Sequence, residues 1–168
     1  MNIRSLSESD AHAYQQLRLN GLQSSPEAYV SSYEQEAKFP LEFYKELLKP
    51  TPDKFVLGAF VNNTLFGMAT FMRDTGLKDA HKGNIYGMYV APELRGHGMA
   101  KALMLELIHK ARKIDGVEQL KLAVVSENEA ARNLYESLGF EVYGVEKNAL
   151  KHNGVYSDGV WMALRLAH

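Results

Sequence analysis

Tyr86-Gly87-Met88-Tyr89-Val90-Ala91-Pro92-Glu93-Leu94-Arg95-Gly96-His97-Gly98-Met99-Ala100 runs from an apolar, strand-like segment through an Ala-Pro turn into a loop of small residues, then into a helix beginning near Met99. Glycine lets the main chain approach a ligand without a Cβ. The first amides of a helix have no intrahelical acceptor, so a glycine-rich loop ahead of a helix suits an anion. Arg95 adds fixed positive charge at the loop entrance. Strand, turn, glycine-rich loop and amphipathic helix in this order form a complete cradle for a pyrophosphate.

Two kinds of phosphate cradle are excluded residue by residue. A Walker loop needs Gly-Lys-Ser/Thr, whereas Gly98 is followed by Met99 and Ala100. A dinucleotide fingerprint needs a third glycine where Lys101 stands, and no acidic residue closes a second βαβ half. What remains is Arg95-x-x-Gly98-x-Ala100 after a strand.

Downstream, Leu120-Lys121-Leu122-Ala123-Val124 alternates like a strand, and Ser126-Glu127-Asn128-Glu129 reads as a Ser-x-x-Glu capping box. The helix that follows, 128–138, is predicted to stop at Gly139, the residue type favoured just past a helix end. Within it lies Asn128-x-x-Ala131-x-x-Leu134-Tyr135-Glu136-Ser137-Leu138-Gly139-Phe140.

The two segments together resemble the GNAT acetyltransferase superfamily. Its pyrophosphate loop reads Arg/Gln-x-x-Gly-x-Gly/Ala, and its second motif reads Asn-x-x-Ala-x-x-Leu-Tyr-x-x-x-Gly-Phe. The motifs fall at about residues 84–116 and 120–142, and with the closing segment Asp158-Gly159-Val160-Trp161-Met162-Ala163-Leu164 the resemblance covers roughly residues 54–166. It implies an α/β (α+β) fold: a central mixed, mostly antiparallel twisted sheet, splayed parallel central strands, and helices on both faces.

Length and composition fit a single domain over residues 1–168. The chain is 46% hydrophobic, enough to fill a core, and shows no repeat or linker. It contains no cysteine, which excludes thiol nucleophiles, cysteine zinc sites and disulfides. The absence of an apolar start and of a run near the roughly 20 apolar residues of a membrane span leads to a cytoplasmic, non-membrane expectation. A net charge of −1 gives no footprint for nucleic acid. A homodimer is left open.

The remaining chain reads as alternating elements. Ile3 and Leu6 fit a first strand, and Ser7 or Ser9 can cap a helix carrying Tyr14, Leu17 and Leu19. Ser25-Pro26-Glu27 and Phe39-Pro40-Leu41-Glu42 read as helix starts, with Pro50 and Pro52 as stops. Segments 54–61 and 64–72 flank an Asn62-Asn63 turn as a hairpin, and 74–83 reads as polar loop.

By the resemblance, the chain moves an acetyl group from acetyl-CoA directly to a primary amine of a small molecule, without a covalent enzyme intermediate. The alternatives are a peptide or protein amine, a CoA-binding module that has lost catalysis, and a nucleotide-binding regulator. The absence of cysteine and of a Gly-x-Ser-x-Gly elbow agrees with direct transfer. The pantetheine is expected to pair with Met88, Tyr89 and Val90, with Gly87 marking the bulge that opens the gap. The resemblance also implies cofactor contacts at Arg95, Gly96, His97, Gly98, Met99, Ala100, Lys101, Asn128, Asn133 and Tyr135, and no metal. Arg95 contacts phosphate or holds the turn, and Asn128 caps a helix or reaches the pantetheine.

Tyr135 is the expected general acid, since a phenol with pKa near 10 is protonated at neutral pH and can protonate a leaving thiolate. Core packing between Leu134 and Leu138 is the alternative. The base is unassigned: Ala123 and Tyr86 stand where some branches carry a strand glutamate, which leaves water-mediated paths to Glu34, Asp74 or His81. Of the histidines, His97 is expected to act through its backbone, while His81, His109, His152 and His168 read as surface residues. The set Glu34, Glu36, Glu42 and Glu46 reads as a solvated helical face. The acceptor is expected to arrive past residues 21–50 and a loop at 147–158, drawn as a cation by Glu27, Glu34, Glu36 and Asp158.

Overall fold

In the computed structural model, Lys54–Val61 (β2) and Thr64–Arg73 (β3) form the expected hairpin. Asn62 and Asn63 both take positive φ, at 50° and 64°, the left-handed pair that matches the twist of a two-residue hairpin. Residues 1–167 are described, apart from 27, 28 and 30. The expected helix start at Ser25-Pro26-Glu27 and the surface reading of His168 therefore fall wholly or partly outside the described residues.

The hairpin belongs to a seven-stranded sheet of order β1-β2-β3-β4-β5-β7-β6. Its other strands are Asn2–Ser5 (β1), Lys82–Val90 (β4), Gln119–Val125 (β5), Glu141–His152 (β6) and Val155–Arg165 (β7). Every neighbouring pair is antiparallel except β4 and β5. Strand β2 is buried on both faces, which explains its unbroken apolar run from Phe55 to Phe60.

Two helical layers cover the sheet. On one face lie Met99–Arg112 (α4) and Glu129–Ser137 (α5). Met99, Leu103, Met104, Leu107, Ile108 and Ala111 form the buried stripe of α4 and pack on Leu57, Phe71 and Leu120. The other face carries Ala11–Ser24 (α1), the single turn Tyr33–Glu36 (α2) and Leu41–Leu48 (α3). Tyr14, Leu17, Tyr44 and Leu48 pack there on Val56, Met68 and Tyr89. No described helix is long and apolar enough to cross a membrane.

Several expectations need correction. The segment 147–158 is not a loop: it is the distal half of a β6–β7 hairpin, turned by Asn153 (φ 51°) and Gly154 (φ 77°). Strand β6 escaped the sequence reading because it is an exposed edge strand with two register shifts, at Val142/Gly144 and Glu146/Leu150, so no period-two pattern survives. The loop after β3 ends at residue 81, since Lys82 and Gly83 already pair with β5. The Ser126/Glu129 capping box does not form, and Asn128 caps α5 instead, its Oδ1 accepting from the Ala131 N–H at 3.2 Å. A 3-10 turn, Glu8–Asp10, precedes α1, and Asp10 accepts from the Ser7 N–H and from Arg4.

Candidate active site

The parallel strands β4 and β5 pair only through Lys82↔Gln119, Gly83↔Leu120 and Asn84↔Lys121. Beyond Asn84 they part, β4 staying with β3 and β5 with β7, which leaves a V-shaped gap. Between Thr70↔Tyr86 and Met68↔Tyr89, β4 advances three residues for two on β3, a bulge centred on Gly87 at φ +60°. Gly87 therefore does mark the bulge. It shifts the alternation so that Met88 and Val90 face the α4 side while Tyr89 joins the α1 side.

The closed end of the V is pinned. Asn84, buried, donates from Nδ2 to the Met72 carbonyl at 3.1 Å and to Asp74 Oδ1 at 2.9 Å, while Lys121 Nζ lies 3.4 Å from Asp74 Oδ2. The His81 carbonyl accepts from the Glu118 and Gln119 amides. Asp74 and His81 thus belong to the closed end, away from the mouth, and Glu34 is exposed.

Because β4 and β5 run parallel, the helices that follow them both begin at the open end, where ligands of α/β sheets gather. The β4–α4 loop makes a 3-10 turn, Pro92–Leu94, then Gly96 (φ 81°) and Gly98 (φ 79°). A Cβ added at either glycine would meet nothing within 4 Å. Among the described residues, no acceptor takes the amides of residues 96–101, and Gly98, at the cap position, brings no side chain to satisfy them. His97 and Lys101 are exposed, whereas Met99 is buried and anchors the helix in the core. Arg95 Nε donates to the Val90 carbonyl at 3.1 Å, and its guanidinium lies 5.6 Å from the Tyr89 ring centroid. Of its two expected roles, the structure displays the one that holds the turn.

On the other arm, α5 starts shortly after β5 ends. Gly139 (φ 100°) closes it, with the Phe140 N–H bonded to the Tyr135 carbonyl at 3.0 Å and the Gly139 N–H to that of Glu136. Tyr135 is buried, its ring centroid 5.9 Å from that of Phe140, and burial pushes its phenol up to about 12. Its hydroxyl makes no hydrogen bond among the described residues. Asn133 is exposed, and the Asn128 cap uses only Oδ1, leaving Nδ2 uncommitted.

Sequence reading missed a polar cluster on the α1 side. Arg18 Nε and Nη2 bond Glu36 Oε1 and Oε2 at 3.0 and 2.8 Å. Glu36, only 5% exposed, is therefore not part of a solvated face. Tyr44 Oη adds a bond to the Glu36 carbonyl at 3.3 Å, and the Arg18 guanidinium lies 4.9 Å from the Tyr29 centroid. Burial pushes the Glu36 carboxyl up, but hydrogen bonds from Arg18 and Ser31 and the Arg18 charge outweigh it and hold the group below its ordinary value. The partners are 18 residues apart and carry no local pattern. Asp158 fills the β6 bulge, accepting from the Asn148 N–H at 2.9 Å and from Lys147. Glu27 lies outside the described residues.

Comparison with known proteins agrees with this architecture. The family model "Acetyltransferase (GNAT) family" matches residues 19–140. An L-amino acid N-acetyltransferase of Escherichia coli (strain K12) is 27% identical over 84% of this chain and 86% of its own length. The catalytic subunit of the N-terminal acetyltransferase B complex of Arabidopsis thaliana is 29% identical over 77% of this chain and 72% of its own. A Salmonella typhimurium protein described as an acetyltransferase, solved with its cofactor acetyl-CoA, superposes with a TM-score of 0.81 at 22% identity, over 100% of this chain and 95% of that one.

Proposed function

The chain belongs to the GNAT acetyltransferase family, and from that premise we propose that it moves an acetyl group from acetyl-CoA directly to the primary amine of a small molecule. The observation that carries this is the run of unaccepted amides at residues 96–101, standing at the mouth of a gap between two parallel strands. Similarity to an L-amino acid N-acetyltransferase over most of both chains supports a small acceptor.

Each part of the site has a task in this reaction. The amides of residues 96–101 donate to the diphosphate, helped by the positive end of α4 and by Lys101. The unpaired edge of β4 at Met88, Tyr89 and Val90 receives the pantetheine as a further strand would, and one of its amides donates to the thioester oxygen. Tyr135 hands its proton to the departing thiolate. Asn128 Nδ2 and Asn133 are placed on α5 to contact the pantetheine arm. The amine must lose its proton to bulk solvent before attack, since Asp74 and His81 hold the closed end of the gap and do not stand at the mouth.

The test is thiol release from acetyl-CoA across a panel of amino acids, polyamines, aminoglycosides and peptides. The chain has no cysteine, so a thiol reagent reads only product. Amine-dependent release with an acetylated small molecule in the mass spectrum is expected. Acetyl-CoA binding without amine-dependent release would identify a CoA-binding module instead.

The loop yields its own prediction. Gly98→Val places a side chain in open space and a branched residue at φ +79°, straining a surface turn by about 1–2 kcal/mol. Calorimetry should show acetyl-CoA binding weakened by about tenfold or more, the loss of one or two hydrogen bonds, with a fall in Tm of roughly 2–8 °C from the strained turn. Unchanged affinity in the folded variant would remove the loop from the site.

A further inference from the structure

We propose that Arg18 is the acceptor's anchor, and that the amine acetylated by this protein carries a carboxylate close to its amino group, as an α-amino acid does. The inference rests on the acetyl-transfer reading above and narrows it to one substrate class.

Arg18 is held as a fixture rather than a mobile surface cation. Two of its nitrogens are committed to the two oxygens of Glu36, and the face of its guanidinium lies against Tyr29. The third, Nη1, has no acceptor among the described residues, yet it is not sealed from solvent, and the side chain is 17% exposed. Its position is set by the bulge: a side chain at residue 87 would meet Arg18 Nη1 and Thr70 Oγ1, both at 3.8 Å. Nη1 therefore stands over Gly87, immediately before the Met88–Val90 edge that receives the thioester.

The surroundings favour an anion. Arg18 and Arg95 both act on the Tyr29 phenol, and Arg95 also lies over Tyr89. Against these two guanidiniums the described residues of the cluster set one carboxylate, Glu36, and neutral phenols: Tyr14, Tyr29, Tyr44 and Tyr89. Two cations less one anion leave one positive charge at the floor of the acceptor side. A carboxylate on Nη1 would gain charge-assisted hydrogen bonds from a preorganised donor and leave the α-amine, two bonds from the carboxylate carbon, facing the strand edge. The absence of a strand glutamate at Tyr86 or Ala123 removes the group that would repel it.

The test compares each amino acid with its own carboxamide. Calorimetry on CoA-loaded protein should show the acid binding about 10- to 100-fold tighter than the amide, the range of a hydrogen bond to a charged group. The kcat/KM values should follow mainly through KM. In Arg18→Gln/Glu36→Gln, which keeps a neutral hydrogen-bonded pair, the preference should vanish while amide binding and acetyl-CoA affinity stay unchanged. Arg18→Lys, which keeps the charge but cannot face Glu36 and the substrate together, should lose most of it. Acid and amide bound equally by the wild-type protein, or a preference that survives in either folded variant, would overturn the proposal. Because binding is read separately, absence of turnover with every amine would count against acetyl transfer and not against the anchor.

Discussion

Replacing Tyr135 with phenylalanine is expected to lower kcat by about 10²- to 10⁴-fold, the range for removal of a general acid, while leaving acetyl-CoA affinity and Tm nearly unchanged. The phenylalanine ring can occupy the same place beside Phe140, and the hydroxyl lacks a hydrogen-bond partner among the described residues, so its removal orphans nothing. Burial raises the phenol from 10.0 to about 12, which keeps it fully protonated through the neutral range. A group whose folded pKa is raised contributes stability below its unfolded pKa and loses it as pH climbs through the folded one. The wild-type protein should therefore lose stability between about pH 10 and 12 through Tyr135, and the phenylalanine variant should lack that component. Steady-state kinetics and calorimetric melts decide the matter. A lower Tm with intact kcat would make Tyr135 a packing residue only.

Glu36→Leu should destabilise the fold by about 3–5 kcal/mol, because it leaves the half-buried Arg18 guanidinium without its partner. For a chain of this length that is a fall in Tm of roughly 6–20 °C. Arg18→Leu/Glu36→Leu should recover much of the loss, since the penalty comes from the orphaned charge rather than from the pair. The carboxyl lies below its ordinary value of 4.5, so its contribution is present above that pH and fades as pH falls through the folded pKa. The acid limb of the wild-type stability curve should accordingly flatten in the double variant. Scanning calorimetry from pH 7 to 3 measures both effects. If the single variant melts with the wild type, the pair holds nothing together.

The cradle was legible because its signals are local. Glycines at positive φ, an Ala-Pro turn and the stripe from Met99 to Ala111 each declare themselves within a few residues. So did the bulge, since a glycine inside a strand often marks one. Of the two caps offered for α5, Ser126 had the pattern and Asn128 the geometry, and the structure uses Asn128. Strand β6 was missed because an edge strand with one wet face and two bulges has no apolar period to find. The Arg18–Glu36 cluster was missed for a different reason. Arg18 reaches Glu36 only after α1 and α2 fold onto the same face of the sheet, and a long-range pair has no spacing in sequence.

The six amides at residues 96–101 belong to the main chain, and any sequence able to adopt the same turn would present them. Cofactor recognition through such amides would be insulated from drift: substitutions could accumulate at His97 without removing a backbone donor. A competitive drug built on the diphosphate would therefore find the same grip in relatives whose side chains share little with this chain, and would discriminate poorly among them. Selectivity would have to be sought on the side walled by Arg18, Tyr29 and Tyr89, where, on the anchor proposed above, side chains rather than backbone would meet the visitor and where two relatives need not agree.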